Sequence, residues 1–372
     1  MSDSPRVRIS SEIELSVAGD EGSINELGAE WRSLAVLAGN AFLTPEWYDL
    51  SRQQVDPGAR PVVACAHHAG RLVGVLPMIA GPGRRAPVRF AGAGLGDRFG
   101  PLLAADAPDD LGGALYGAVL DEAGGLPVEL ARVEAQSGWW TQTGDRRTVV
   151  TSPAGEWPVA DLGSAGWDAY LASRSRNHRS QIRRRLRAIN QAHEVDVWSP
   201  ASTAEVVSGM EELFRLHAAR WDGRSERSSF DRPEAHAFHR AFAQAAATQG
   251  WLRLYMLRAD GENVAAWYGW RLGGTVSYFQ AGYDPDWASL SVGSVLFAET
   301  IRLAAEEGAE AYDMLLGDES FKLRYATRVV DAVSVVAAAR WSRARLRASL
   351  LARLKPVWRS LPRDVRSRLR RG

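Results

Sequence analysis

The period of the apolar positions changes repeatedly along the chain, and the changes divide it into helical and extended stretches. In the first half, apolar residues recur at helical spacing over 24–37, and a second helix opens at Pro45. Two apolar runs, 62–68 and 72–79, bracket Gly70 and read as a hairpin; 88–91, 101–104 and 127–133 are further strands, with a helix over 111–121. The second half predicts helices over 203–220 and 233–249, then strands over 251–258, 264–272 and 275–283. Asp260-Gly261 and Gly273-Gly274 join these strands as hairpin turns. A helix over 292–307 follows, stopped by Gly308, then a strand over 311–316, a short helix over 320–325 and a last strand over 329–339. Antiparallel strands followed by a helix and another strand predict an α+β fold with mixed sheets flanked by helices.

Phe42-Leu43-Thr44-Pro45-Glu46 reappears as Phe230-Asp231-Arg232-Pro233-Glu234, each copy ending in a helix-start signature. Gly70 and Gly261 keep nearly the same spacing from these motifs, which suggests a duplicated domain. A length of 372 residues suits two domains, and 46% hydrophobic with 24% charged residues gives each enough material for a core. The expected division is an N-terminal domain over 1–163, an arginine-rich linker helix over 164–195, a C-terminal domain over 196–339 and a basic amphipathic tail over 340–372.

The net charge of +1 provides no global field for nucleic acid, so basic contacts must be local. Cys65 is the single cysteine, which excludes an intrachain disulfide and a cysteine-built metal site. The first twenty residues lack the apolar run of a secretory signal, and no stretch is apolar enough for a membrane span. The expectation is a cytoplasmic protein without a metal.

Candidate chemistry concentrates near the end of the second half. A helix opening at Ser291-Val292-Gly293-Ser294 presents bare N–H groups and a positive dipole end, and Gly293 permits close approach of a diphosphate. Aminolysis of a thioester needs a base for the attacking amine and an acid for the leaving thiolate. The segment Gly317-Asp318-Glu319-Ser320-Phe321-Lys322-Leu323-Arg324-Tyr325 offers Asp318 or Glu319 as base and Tyr325 as acid. Lys322, one of two lysines in the chain, and Arg324 are candidates to hold an anionic acceptor. Read without function, the same segment is a capped surface helix with Tyr325 in the core.

Together with Tyr283-Asp284-Pro285-Asp286, these motifs resemble the cellulose-biosynthesis acetyltransferase-like branch of the GNAT superfamily. Phe42-Leu43-Thr44-Pro45-Glu46-Trp47 and the arginine-rich helix extend the likeness. Val292 stands where that branch prefers Pro, and Phe321 where it prefers Tyr. The resemblance implies two tandem GNAT-like domains in a Fem-like arrangement, an acyl-CoA as co-substrate, and a small-molecule, saccharide or cell-surface precursor as acceptor.

On this reading the acyl-CoA enters between strands 275–283 and 311–316. Its diphosphate rests on Ser291, Val292, Gly293 and Ser294, and Gly282 or a neighbouring N–H polarises the thioester. The basic run from Ser173 through Arg187 presents Arg179 and Arg183 to a phosphate-bearing acceptor around an apolar stripe of Ile182, Leu186 and Ile189, or is a solvated helix. It lacks the exposed aromatics that single-stranded nucleic acid requires.

Gly92-Ala93-Gly94-Leu95-Gly96-Asp97 is not a dinucleotide fingerprint, since Asp97 replaces the third glycine; Asp97 remains a candidate acceptor contact. His236 and His239 share a helix face without further metal ligands nearby. In the tail, Leu346, Leu350 and Leu354 recur every fourth residue among arginines, a pattern for docking on a membrane's inner face or packing on the body. Two other readings share these features: a Fem-type aminoacyl-tRNA-dependent peptidyl transferase, and a non-catalytic membrane- or nucleic-acid-associated binding protein.

Overall fold

In the computed structural model, which describes residues 7–8, 13–141, 147–164, 166–221, 230, 233–317 and 319–360, the chain divides into two compact units. One comprises Met1–Gly155 with Val330–Gly372, the other Glu156–Val329.

The first unit begins with β1 (Val7–Arg8), β2 (Ile13–Ala18), α1 (Glu21–Leu37), α2 (Pro45–Leu50), β3 (Arg60–His68) and β4 (Arg71–Ala80). It continues with β5 (Val88–Phe90), β6 (Leu102–Leu103), α3 (Leu111–Ala123) and β7 (Val128–Glu134). Strand β8 (Arg147–Asp161) ends this stretch, and its last residues open the second unit. That unit contains α4 (Gly166–Ser173), α5 (Arg176–Ala192), β9 (Val195–Trp198), α6 (Thr203–Trp221), α7 (Pro233–Thr248) and β10 (Leu252–Ala259). It goes on through β11 (Glu262–Leu272), β12 (Thr275–Tyr283), α8 (Val292–Glu306), β13 (Ala311–Asp313) and α9 (Ser320–Tyr325). The chain then enters β14 (Arg328–Ala339), which returns to the first unit, and ends its described part in α10 (Arg343–Ser360).

Within the first unit the strand order is β1-β2-β3-β4-β5-β7-β14, with β6 beside β4; β5 and β7 run parallel and the other pairs antiparallel. Thr44 caps α2 by accepting from the Trp47 N–H at 3.2 Å, and Pro45 fills its first turn, as the repeated motif predicts. The buried Trp31 indole fixes α1 to this corner by donating to the Leu43 carbonyl at 2.7 Å.

In the second unit the order is β8-β13-β12-β11-β10-β9, with β12 and β13 parallel and every other pair antiparallel. Alternation at period two sends Tyr255, Leu257, Trp267, Val276 and Tyr278 to the face covered by α4, α5 and α8. Leu254, Met256, Tyr268 and Trp270 meet α6 and α7 on the other, where Trp270 packs edge-on against Phe242 at 5.5 Å. The β3–β4 and β10–β11 hairpins share one turn chemistry: Ala69-Gly70 and Asp260-Gly261 all have positive φ, between 49° and 86°. That is the two-residue hairpin whose twist matches its strands.

The structure departs from the periodicity reading in several places. Strands β1, β2, β8 and β9 are additional: β1 has two residues, β2 and β9 are short alternating segments, and Pro153, Gly155 and Pro158 interrupt the strand pattern of β8. The linker helix expected over 164–195 is two helices, α4 and α5, the second opened by its Ser175 cap. Strand β13 covers Ala311–Asp313, half the expected run, because Met314 leaves the sheet edge and donates to the Pro158 carbonyl.

One glycine is dictated by packing. A Cβ on Gly282 would sit 2.2 Å from the His217 backbone nitrogen and 2.4 Å from the Leu216 carbonyl carbon, so α6 lies directly on β12. Backbone cannot yield as a side-chain tip does. Gly282→Ala is therefore expected to destabilise the second unit by about 1–3 kcal/mol. Urea unfolding monitored by circular dichroism reads this as a lower midpoint with an unchanged slope.

Candidate functional site

The parallel pairing of β12 with β13 covers Thr275–Ser277 against Ala311–Asp313 and then stops. Just beyond it, the β11–β12 register shifts between Tyr268 and Gly269, so that Phe279 is an extra residue in β12. A bulge of this kind bends its strand and resets which side chains face which way. Phe279 turns toward α7, its ring centroid 4.7 Å from that of His239 with the planes tilted by 36°, while Tyr278, Ala281 and Tyr283 line a cavity on the opposite face. The cavity has a volume of about 270 Å³ and is formed wholly within the second unit.

Helix α8 opens onto it. Ser291 takes a left-handed conformation (φ 57°, ψ 37°), which points the chain into the helix without a side-chain cap. Its carbonyl accepts from the N–H groups of Ser294 and Val295 at 2.8 and 3.0 Å. Among the described residues the N–H groups of Val292 and Gly293 have no acceptor. These are the donors that a helix end leaves for an anion. Gly293 also accommodates the Tyr283 ring, whose Cδ1 would lie 3.0 Å from an added Cβ.

Three guanidinium groups surround this opening: Arg185 from α5, Arg220 from the last turn of α6, and Arg324 from α9. Arg220 donates to the Ala281 carbonyl at 3.1 Å and stacks over Tyr283 at 5.6 Å. No carboxylate is among the described lining residues, so the cavity is electropositive. Its apolar wall is Tyr278, Val292, Phe297 and Phe321; Phe321, where the resembled branch prefers Tyr, packs edge-on against Phe297 at 5.2 Å.

The deepest polar groups are His178 and Tyr325. Ser175 caps α5 by accepting from the His178 N–H, which places His178 one turn before buried Ile182 on the helix's inner face. His178 is 5% exposed, and neither ring nitrogen has a hydrogen-bond partner among the described residues. The Tyr325 hydroxyl is likewise buried and unpartnered, and the two rings meet edge-on at 4.5 Å. Burial, with Arg324, Arg185 and Arg174 adding to it, pushes the imidazole down to about 4. Burial pushes the Tyr325 phenol up to about 12, partly offset by Arg185 and Arg324. The site thus holds a neutral imidazole beside a protonated phenol.

The structure gathers Ser291, Val292, Gly293, Ser294, Arg324 and Tyr325 around this one cavity. The others named from sequence sit elsewhere. Gly282 faces α6, and Asp97 is buried in the first unit, where its carboxylate accepts from the Arg98 N–H. Arg179 donates to the Ala172 and Arg174 carbonyls at the end of α4, and Arg183 is exposed outside the cavity lining. Lys322 is 4% exposed; its ammonium binds the Leu316 carbonyl at 3.0 Å and Glu319 at 3.1 Å, above the Tyr278 ring. Lys322 is therefore engaged by Leu316 and Glu319. Asp318 lies outside the described residues. Among these residues, no group of three His, Cys, Asp or Glu side chains is placed to hold a metal.

Sequence reasoning missed His178, Arg185 and Arg220. The signal for the first two was present: extending the Ile182–Ile189 stripe by helical spacing reaches both.

With this geometry in place, the similarities become interpretable. Residues 176–323 match the family model described as acetyltransferase (GNAT) domain, a span that includes the whole cavity lining except Arg324 and Tyr325. No curated protein matches the sequence. Among solved structures, FemX superposes with a TM-score of 0.64 at 10% identity, covering 94% of this chain and 100% of that one. L-PGS from Bacillus licheniformis gives 0.55 at 16% identity, covering 94% and 99%. The C-terminal domain of a putative lysylphosphatidylglycerol synthetase from Agrobacterium fabrum gives 0.57 at 12%, covering 89% and 96%. At such identities the likeness is one of fold: a tandem GNAT-like α+β architecture of mixed sheets flanked by helices. The second unit is an acyltransferase domain of the GNAT type.

The His178 environment has a measurable consequence. The unfolded chain binds a proton near pH 6.5 that the folded chain refuses until about pH 4. Its contribution to stability is complete above pH 6.5 and is lost as the pH falls toward 4. His236 and His239 are depressed in the same direction, so acid sensitivity is shared. His178→Gln is expected to lose less stability than the parent between pH 7 and pH 4.5, measured by urea midpoints at both values.

Proposed function

We propose that the second unit transfers an acyl group, with acetyl as the first candidate, from an acyl-CoA to a nitrogen or oxygen of a small-molecule, saccharide or cell-surface precursor. The observation that carries this reading is the uncapped start of α8, with two unpartnered N–H groups opening onto an arginine-lined slot where β12 has left β13. A diphosphate fits such an end because hydrogen bonds, helix dipole and guanidinium charge all favour the same sign. The apolar wall of Tyr278, Phe297 and Phe321 suits the acyl arm.

On this reading the acceptor attacks the thioester carbon, its proton passes to a base, and the C–S bond breaks to release thiolate. A backbone N–H of residues 280–282, beyond the end of the β13 pairing, polarises the carbonyl. The base is His178, the group in the described lining able to accept a proton; Glu319 is engaged by Lys322. Two of the causes that depress His178 are Arg324 and Arg185, so an anionic donor that offsets their charge raises its basicity on arrival. Tyr325, held protonated, donates a hydrogen bond to the departing sulfur.

A second reading, transfer from aminoacyl-tRNA as in Fem-type enzymes, is favoured by the likeness to FemX and to the putative lysylphosphatidylglycerol synthetase domain. The same arginines suit the phosphates of a nucleic-acid donor.

Thermal denaturation with acetyl-CoA tests the first reading. At one hundred times the dissociation constant, the ligand is expected to stabilise the protein by about 2.7 kcal/mol. Gly293→Asp, which sets a carboxylate against the diphosphate, is expected to abolish the shift without lowering the ligand-free midpoint by more than a few degrees. An unchanged midpoint with acetyl-CoA and CoA, together with acyl transfer from aminoacyl-tRNA, replaces the first reading with the second.

A further inference from the structure

Helix α10 begins where Ser342 caps it: the serine hydroxyl accepts from the Arg345 N–H at 3.2 Å and its carbonyl accepts from the Leu346 N–H at 3.1 Å. This start sets the direction of the apolar stripe, and the stripe faces water. Trp341 is 82% exposed, Leu346 58% and Leu350 59%. Leu354 continues the four-residue spacing in the sequence. No other element packs extensively against α10 among the described residues. Large apolar side chains left in water cost about 1.5–3 kcal/mol each relative to burial, so such a row calls for a cover.

The charge of the segment identifies the cover. Residues 340–360 contain Arg340, Arg343, Arg345, Arg347, Arg353, Lys355 and Arg359, and no acidic residue. A second α10 would set like charges together, and a nucleic acid would satisfy the arginines while leaving the leucines wet. An anionic bilayer satisfies both at once, since leucine and tryptophan enter the acyl boundary while guanidinium groups stay with lipid phosphates. No described helix is long and apolar enough to cross a membrane, so the contact is peripheral.

We infer that α10 docks the protein on anionic phospholipid bilayers by inserting Trp341, Leu346 and Leu350 between headgroups held by its arginines. This inference rests on the first unit and stands apart from the acyl-transfer reading.

Co-sedimentation of the full chain with phosphatidylcholine vesicles, with and without phosphatidylglycerol, tests it. Binding is expected to require phosphatidylglycerol and to fall as salt is raised. Leu346→Glu with Leu350→Glu is expected to weaken partitioning roughly tenfold or more. Arg343→Ala and Arg347→Ala each weaken it about fivefold. All variants should retain the parental melting midpoint, because these side chains are exposed. Vesicle binding that ignores phosphatidylglycerol, or that survives the double leucine change, overturns the inference. So does a parent that stays off the vesicles but binds RNA, or one that dimerises through these leucines, read by light scattering.

Discussion

Two neighbouring parallel strands cannot stay paired when one of them gains a residue and bends while the other runs out of sheet. That constraint governs the second unit. Strand β12 shares three residue pairs with β13, then Phe279 enters as an extra residue and Met314 leaves toward β8. The backbone groups of β12 beyond Ser277 are released from β13, and the space between the strands has to be filled by something other than a ladder. Aromatic rings from α8 and α9 fill part of it, and the remaining cavity is what the start of α8 faces. Gly282 belongs to the same arrangement: because β12 bends against α6, the helix approaches too closely for any side chain there.

The electrostatics follow from the elements that converge on this gap. Arg185, Arg220 and Arg324 come from three separate helices, and none is neutralised by a carboxylate within the described lining. Like charges gathered at one opening repel one another, and an anion bound there offsets that repulsion. The same field acts on His178. An imidazole that would titrate near neutrality in water is kept neutral by burial and by its cationic neighbours, so its basicity is coupled to what occupies the cavity.

Much of this was legible in the sequence because punctuation is local. Ser291-Val292-Gly293 after a hairpin-linked strand marks the α8 start, and Thr44-Pro45 marks the start of α2. Tyr325 and Arg324 follow from their place just after a strand and a tight turn. Lys322 illustrates the opposite case: lysine is rare in this chain, but rarity carries no information about burial, and only the fold shows the ammonium held by Leu316 and Glu319. Charge alone singles out Arg179 and Arg183, whereas helical phase selects His178 and Arg185. Arg220 had no local signal, because its partner Ala281 is brought to it by the packing of α6 on β12. Strand β8 was hidden by Pro153, Gly155 and Pro158, which break the alternation that marks a strand in sequence.

The first unit is interrupted in sequence by the second, since β14 pairs with β7 after the whole of residues 156–329 has intervened. During synthesis, the ribosome must therefore complete the second unit before the first can close its sheet. Until then β7 waits with a free hydrogen-bonding edge, open to mispairing with any extended segment nearby. Contacts this distant in sequence form slowly. Nascent chains in which residues 156–329 have emerged and folded while β14 has not yet paired would hold a finished second unit and an unfinished first one, a state in which chaperones have the most to protect.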